Sequence, residues 1–128
     1  MLQWQLQLEV VLPTEVDREW ELQMTDSTLV IDVMTPLGFR VVCTEEYWQR
    51  IVSIKHPALK DRKEDVKTTL SEPNEIRRSM GDPEVLLFHR RDRSRWLCAV
   101  VKCGQEAGYL ITAYPADKVT LGEPVWIK

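Results

Sequence analysis

Six short β-patterned runs crowd the second half of the chain, at residues 75–79, 85–90, 96–102, 104–108, 109–114 and 124–127. Turn residues such as Met80-Gly81-Asp82-Pro83 and Thr120-Leu121-Gly122 separate them. A parallel pair of strands needs a crossover of a dozen or more residues, whereas an antiparallel pair closes over a few. These links are too short for crossovers, so residues 74–127 are expected to form an antiparallel meander sheet.

Upstream, Leu2, Trp4, Leu6, Leu8 and Val10 alternate with Gln3, Gln5, Gln7 and Glu9, the period of a half-buried strand. Trp20, Leu22 and Met24 keep that period. Leu29, Ile31 and Val33 are followed across Thr35-Pro36-Leu37-Gly38 by Phe39, Val41 and Cys43, so the amino-terminal region reads as β-hairpins. Thr44-Glu45-Glu46 then offers a capping hydroxyl and first-turn acids ahead of Tyr47, Trp48, Ile51, Val52 and Ile54, spaced as one helix face that runs to about Lys55. Pro57 disfavours a helical conformation at His56 and can open a second helix carrying Leu59, Val66 and Leu70. The stripe of Trp48, Ile51 and Val52 needs a partner surface, which places the helices of about 45–70 on one face of the sheet. The expected fold is α+β: a single domain, 1–128, with a β-rich extension over 1–43 and an α+β core over 44–128.

The 128 residues can bury about two thirds of their unfolded surface, enough for one core without disulfide or metal staples. No apolar run approaches the roughly 18 residues of a membrane span, and the first residues alternate where a signal peptide would be continuously apolar. A cytoplasmic protein with no membrane partner is expected. Cys43, Cys98 and Cys103 leave one thiol unpaired in any disulfide scheme, and they read as buried thiols of a reduced compartment. Charge is uneven: residues 1–49 hold two bases against nine acids, and the remainder fifteen bases against eleven acids. The basic half includes Arg77-Arg78 and the cluster Arg90, Arg91, Arg93 and Arg95, which could meet phosphate or form a solvated hairpin tip.

There is no phosphate-cradling glycine loop, nucleophile elbow, His-x-x-x-His or Asp-rich calcium loop, which lowers nucleotide hydrolysis and metal catalysis among the readings. Proton transfer near neutral pH would fall to His56 or His89. His56 stands at the backbone break before Pro57, placed either to project into a site or to cap the helix carbonyls. His89 sits late in an apolar strand, with Val85 and Leu87 on its side and Arg90 on the other. Thr112 and Tyr114 are two apart, so they share a strand face and bring two hydroxyls together.

The ordered set Ile54-Lys55-His56-Pro57, Val66-x-x-x-Leu70, Pro73-x-x-Ile76-x-x-Ser79, Asp82-Pro83-x-x-Leu86, Leu97-Cys98-Ala99-Val100-Val101-Lys102 and Ile111-Thr112-Ala113-Tyr114-Pro115 resembles small phage-type domains of the barnase, EndoU, colicin and RelE-like nuclease superfamily. The likeness covers about residues 47–127 and leaves 1–43 outside. It implies helices followed by an antiparallel meander and a toxin-like, metal-independent ribonuclease with no cofactor and no metal. Under that resemblance His56 is the leading acid or base, Thr112 and Tyr114 are site hydroxyls, and an arginine accompanies them, with Arg77, Arg78 and Arg90 all available. Arg90 or Arg78 would stabilise phosphorane charge, and Arg77, Arg78, His89 and Lys102 are the candidate substrate contacts. The ribose 2′-hydroxyl would attack the adjacent phosphate, with RNA and an immunity protein as partners. The alternative is a non-catalytic protein-interaction module on the same scaffold, for which the acid-rich amino half and a homodimer through the regular first strand speak.

Overall fold

A seven-stranded sheet organises residues 28–128, the part of the chain that the computed structural model describes. The strand expected at 2–10 and its continuation through Trp20, Leu22 and Met24 lie outside the described residues. The strands are β1 (Leu29–Met34), β2 (Arg40–Thr44), β3 (Glu75–Ser79), β4 (Val85–Asp92), β5 (Arg95–Cys103), β6 (Gly108–Ala116) and β7 (Gly122–Ile127), in the order β1-β2-β6-β5-β4-β3-β7.

β3 to β6 form the antiparallel meander that the short links require, with Phe88 opposite Ala99 and Ala99 opposite Ala113. The run at 104–108 is mostly turn, joining β5 to β6. The hairpin of β1 and β2 closes through Gly38, whose φ of 91° suits a residue without Cβ, and Arg40 grips Asp32 through two bonds of 2.9 and 2.8 Å. Two features depart from a simple meander. β2 lies parallel to β6, through Val41 opposite Gly108 and Val42 opposite Tyr109, because everything between them in sequence, helices included, serves as the crossover. β7 returns to pair with β3 rather than with its predecessor β6. β2 takes the start of the outer edge of β6, at Gly108 and Tyr109, and the turn at residues 51–55 lies along its continuation at Ile111, whereas β3 offers an open edge of the meander.

Helix α1 (Glu45–Arg50) starts as its sequence dictates: the Thr44 hydroxyl accepts the Tyr47 N–H at 3.1 Å. Thr44→Ala is expected to cost about 1 kcal/mol in urea unfolding, the usual value of such a cap. The helix then widens into a π turn, Ile51–Lys55, closed by the His56 N–H on the Ile51 carbonyl at 2.8 Å. That wider turn corrects one expectation. Trp48, Ile51 and Val52 are buried, but Ile54, expected on the same stripe, is 75% exposed, because the extra residue in the turn swings it outward. Pro57 opens a short 3₁₀ turn, Pro57–Leu59, and the second helix proper, α2, begins only at Lys63 and ends at Ser71, burying Val66 and Leu70.

Residues 85–89 of β4 and 97–101 of β5 are buried without alternation, so both faces of the central sheet are covered. On one face lies α2, where Arg62 at its start reaches Asp92 at 2.9 Å. The other is crossed by the link 117–121, a strap between β6 and β7 that leans on His89 and Tyr114 through Thr120. Burial pushes the thiols of Cys43 and Cys98 up to about 12, which keeps them protonated and unreactive. Among the described residues no helix is long and apolar enough to cross a membrane.

Candidate functional site

Beyond Tyr109, β6 has no strand on its outer side among the described residues, and its carbonyls there take other donors. The π turn meets that need. The Tyr47 hydroxyl donates to the Ile111 carbonyl at 3.0 Å and Lys55 Nζ donates to the same oxygen at 3.2 Å, while the ammonium sits 5.4 Å from the Tyr47 ring centroid. Desolvation of that ammonium, reinforced by Arg50, lowers the Lys55 pKa. Lys55 belongs to the Ile54-Lys55-His56-Pro57 run and Tyr47 to the apolar face of the first helix, but neither pattern assigns them to a site. Their role depends on an edge that only the folded sheet creates.

The same turn carries His56 round the edge of β6. Its backbone, at φ −144° and ψ 80°, leaves the helical region as Pro57 demands, and its N–H closes the π turn. The backbone therefore does the helix capping, and the imidazole makes no hydrogen bond among the described residues. The half-buried ring instead lies 5.7 Å from that of Tyr114, tilted by 40°. Partial burial first, and the neighbouring Lys55 charge second, lower the His56 pKa, which favours the neutral ring.

Tyr114 shares a face of β6 with Thr112, opposite Cys98 and Val100 of β5. Its hydroxyl lies 3.2 Å from the Thr120 hydroxyl, and burial pushes its pKa up to about 12. The Thr112 hydroxyl is enclosed and has no hydrogen-bond partner among the described residues. His89, on this same face, is fully buried. Its Nε2 accepts the Thr120 N–H at 3.1 Å, so the neutral ring carries its proton on Nδ1, and the edge-on contact with Trp96 packs it further. Burial holds the His89 pKa down at about 4. His89 acts as the buried post on which the strap rests.

The basic residues are distributed elsewhere. Arg90 follows His89 in the strand and so projects from the helix-bearing face, away from Tyr114 and Thr112. Arg77 is paired with Glu75 and donates to the Gly122 carbonyl at 3.1 Å, tying β3 to β7. Arg78 donates to the Pro83 carbonyl at 2.7 Å and approaches Glu123. Lys102 is held between Asp82 and Glu84, each at 3.1 Å, with Asp82 buried. Thus the fold brings His56 to Tyr114, sets Thr112 on the Tyr114 face, and keeps the candidate cations apart from both. Thr120, the residue linking His89 with Tyr114, is invisible to motif reasoning because its partners are distant in sequence. No protein-family model, curated protein or solved structure matches the chain.

Proposed function

We propose that this chain is a non-catalytic protein-interaction module built on an α+β scaffold. The observation that carries the reading is that Arg77, Arg78, Arg90 and Lys102 all stand apart from His56 and Tyr114, while Lys55, the cation beside His56, is engaged by the Ile111 carbonyl and the Tyr47 ring. Transesterification of RNA requires a base, an acid and a cation disposed about a single phosphorus. His56 and Tyr114 meet at the edge of β6, whereas Arg90 stands on the opposite face of the sheet. Arg77, Arg78 and Lys102 are each engaged by a carboxylate. A tyrosine raised to about 12 is a poor proton donor at neutral pH. Further support comes from β1, an edge strand of sequence Leu-Val-Ile-Asp-Val-Met without a proline, unpaired on its outer side among the described residues. Such an edge accepts a strand from another protein.

The contact of His56 with Tyr114 favours a second reading, a metal-independent ribonuclease with His56 as the base. Incubating the full chain with labelled RNA in chelator, beside His56→Ala, separates the two. The expected outcome is no cleavage above buffer for either protein. Cleavage by the wild type that falls about 100-fold or more in a folded His56→Ala variant, the usual worth of a general base, would establish the ribonuclease instead.

A further inference from the structure

We infer that the strap 117–121 is an acid-operated latch: when His89 takes up a proton, the strap lifts from the sheet while the meander beneath it stays paired. The latch is independent of whether the chain is an interaction module or an enzyme.

Among the described residues, three polar contacts seat the strap. Arg95 holds Asp117 at 2.9 Å, the Thr120 N–H donates to His89 Nε2 at 3.1 Å, and the Thr120 hydroxyl lies 3.2 Å from that of Tyr114. Apolar burial adds little to them. Leu121 is 77% exposed, Asp117 and Lys118 stand in solvent, and Val119 is half-buried. An exposed ion pair such as that of Arg95 with Asp117 contributes little in water. The bond to His89 differs, because the ring is fully buried and its loss strips the Thr120 N–H of an acceptor. The strap is therefore held chiefly at Thr120, whereas β3 to β6 are held by continuous ladders of main-chain bonds. Its release need not disturb them.

Protonation reverses the polarity of the contact that matters. Neutral His89 offers a lone pair at Nε2, but the imidazolium carries N–H groups at both nitrogens, so a donor meets the Thr120 donor. The surrounding charges do not compensate the new cation. Glu75, opposite His89 on β3, is paired with Arg77, and Asp117 of the strap is paired with Arg95. Arg91, further along β4 and over the Trp96 ring, adds positive charge, as does the exposed Lys118. Cys98 of β5 and Tyr114 of β6 are both held at about 12 and stay neutral, and beyond Tyr114 stand the bases His56 and Lys55. Water is the remaining way to stabilise the charge, and lifting the strap admits it.

The size of the response follows from linkage. With the strap down the ring is held at about 4, against an ordinary value of 6.5 once it is hydrated. Between pH 7 and 4.5 that difference raises the proportion of open strap by up to about 50-fold.

Hydrogen exchange of the full chain, followed by NMR and expressed as protection factors from pH 7 to about 4.5, tests the latch. The Thr120 amide should be less protected than those of Phe88 and Ala99 at every pH, and its protection should fall about 10- to 50-fold on acidification. His89→Gln keeps an acceptor for the Thr120 N–H but cannot titrate, so its Thr120 protection should stay level across the range. Wild-type Thr120 exchanging in step with Phe88 and Ala99 would mean that the strap leaves only when the sheet unfolds, which overturns the latch without recourse to any variant. Thr120 protection that is flat with pH in the wild type would also overturn it, as would an equally steep fall in folded His89→Gln, which would assign the response to carboxylates such as Asp117.

Discussion

Trp48→Ala should lower the free energy of unfolding by about 3–5 kcal/mol, the range seen when a large aromatic site in a core is emptied. Trp48 is only 2% exposed and shares its burial with Ile51 and Val52 where α1 passes into the π turn. Neighbouring side chains cannot collapse into so large a space without dragging the turn that carries Lys55 and His56. Urea unfolding measures the loss. A value below about 1 kcal/mol, typical of surface changes, would place Trp48 in solvent and overturn the register of the helix.

A comparable effect should appear as acid sensitivity. Burial holds the His89 pKa at about 4 in the folded chain against an ordinary value of 6.5. Between those values the unfolded chain takes up a proton that the folded chain excludes. The stabilisation is therefore complete above pH 6.5 and is lost as pH falls towards 4, by on the order of 3 kcal/mol for this group alone. His89→Gln removes the titrating ring while keeping an acceptor for the Thr120 N–H. Comparing urea unfolding of the two proteins from pH 7 to about 4.5 isolates the histidine from the carboxylates common to both, and the variant should show the shallower decline. Parallel declines would mean that His89 titrates freely.

Much of this architecture is legible before any coordinates, and what is not has a physical cause. The meander is written in link lengths, and the start of α1 in Thr44-Glu45-Glu46, because both follow from chemistry a few residues wide. The π turn is not: Ile54 has the spacing of a core residue, and only the competition of Lys55 and Tyr47 for the Ile111 carbonyl accompanies the wider turn that exposes it. The parallel pairing of β2 with β6 and the return of β7 to β3 depend on which edges remain open once the meander has formed. His56 and Tyr114 were singled out in the sequence, and the folded chain sets their rings side by side. The division of the arginines between partners and faces was only partly visible. Alternation alone puts Arg90 and His89 on opposite sides, but the pairing of Arg77 with Glu75 and of Lys102 with Asp82 and Glu84 depends on how the strand ends meet.

Beside the placement of the cations, the functional reading requires that the face bearing His89, Thr112 and Tyr114 be closed under the strap. An NMR titration of the two imidazoles reads this directly. With the strap seated, His89 should stay neutral down to about 4, with its proton on Nδ1 and Nε2 engaged by Thr120, while His56 titrates separately and below the ordinary imidazole range. If both rings titrate together at the ordinary value of 6.5, His89 is in solvent, the face carrying Thr112 and Tyr114 is open to substrate, and the account of these residues as structural is contradicted.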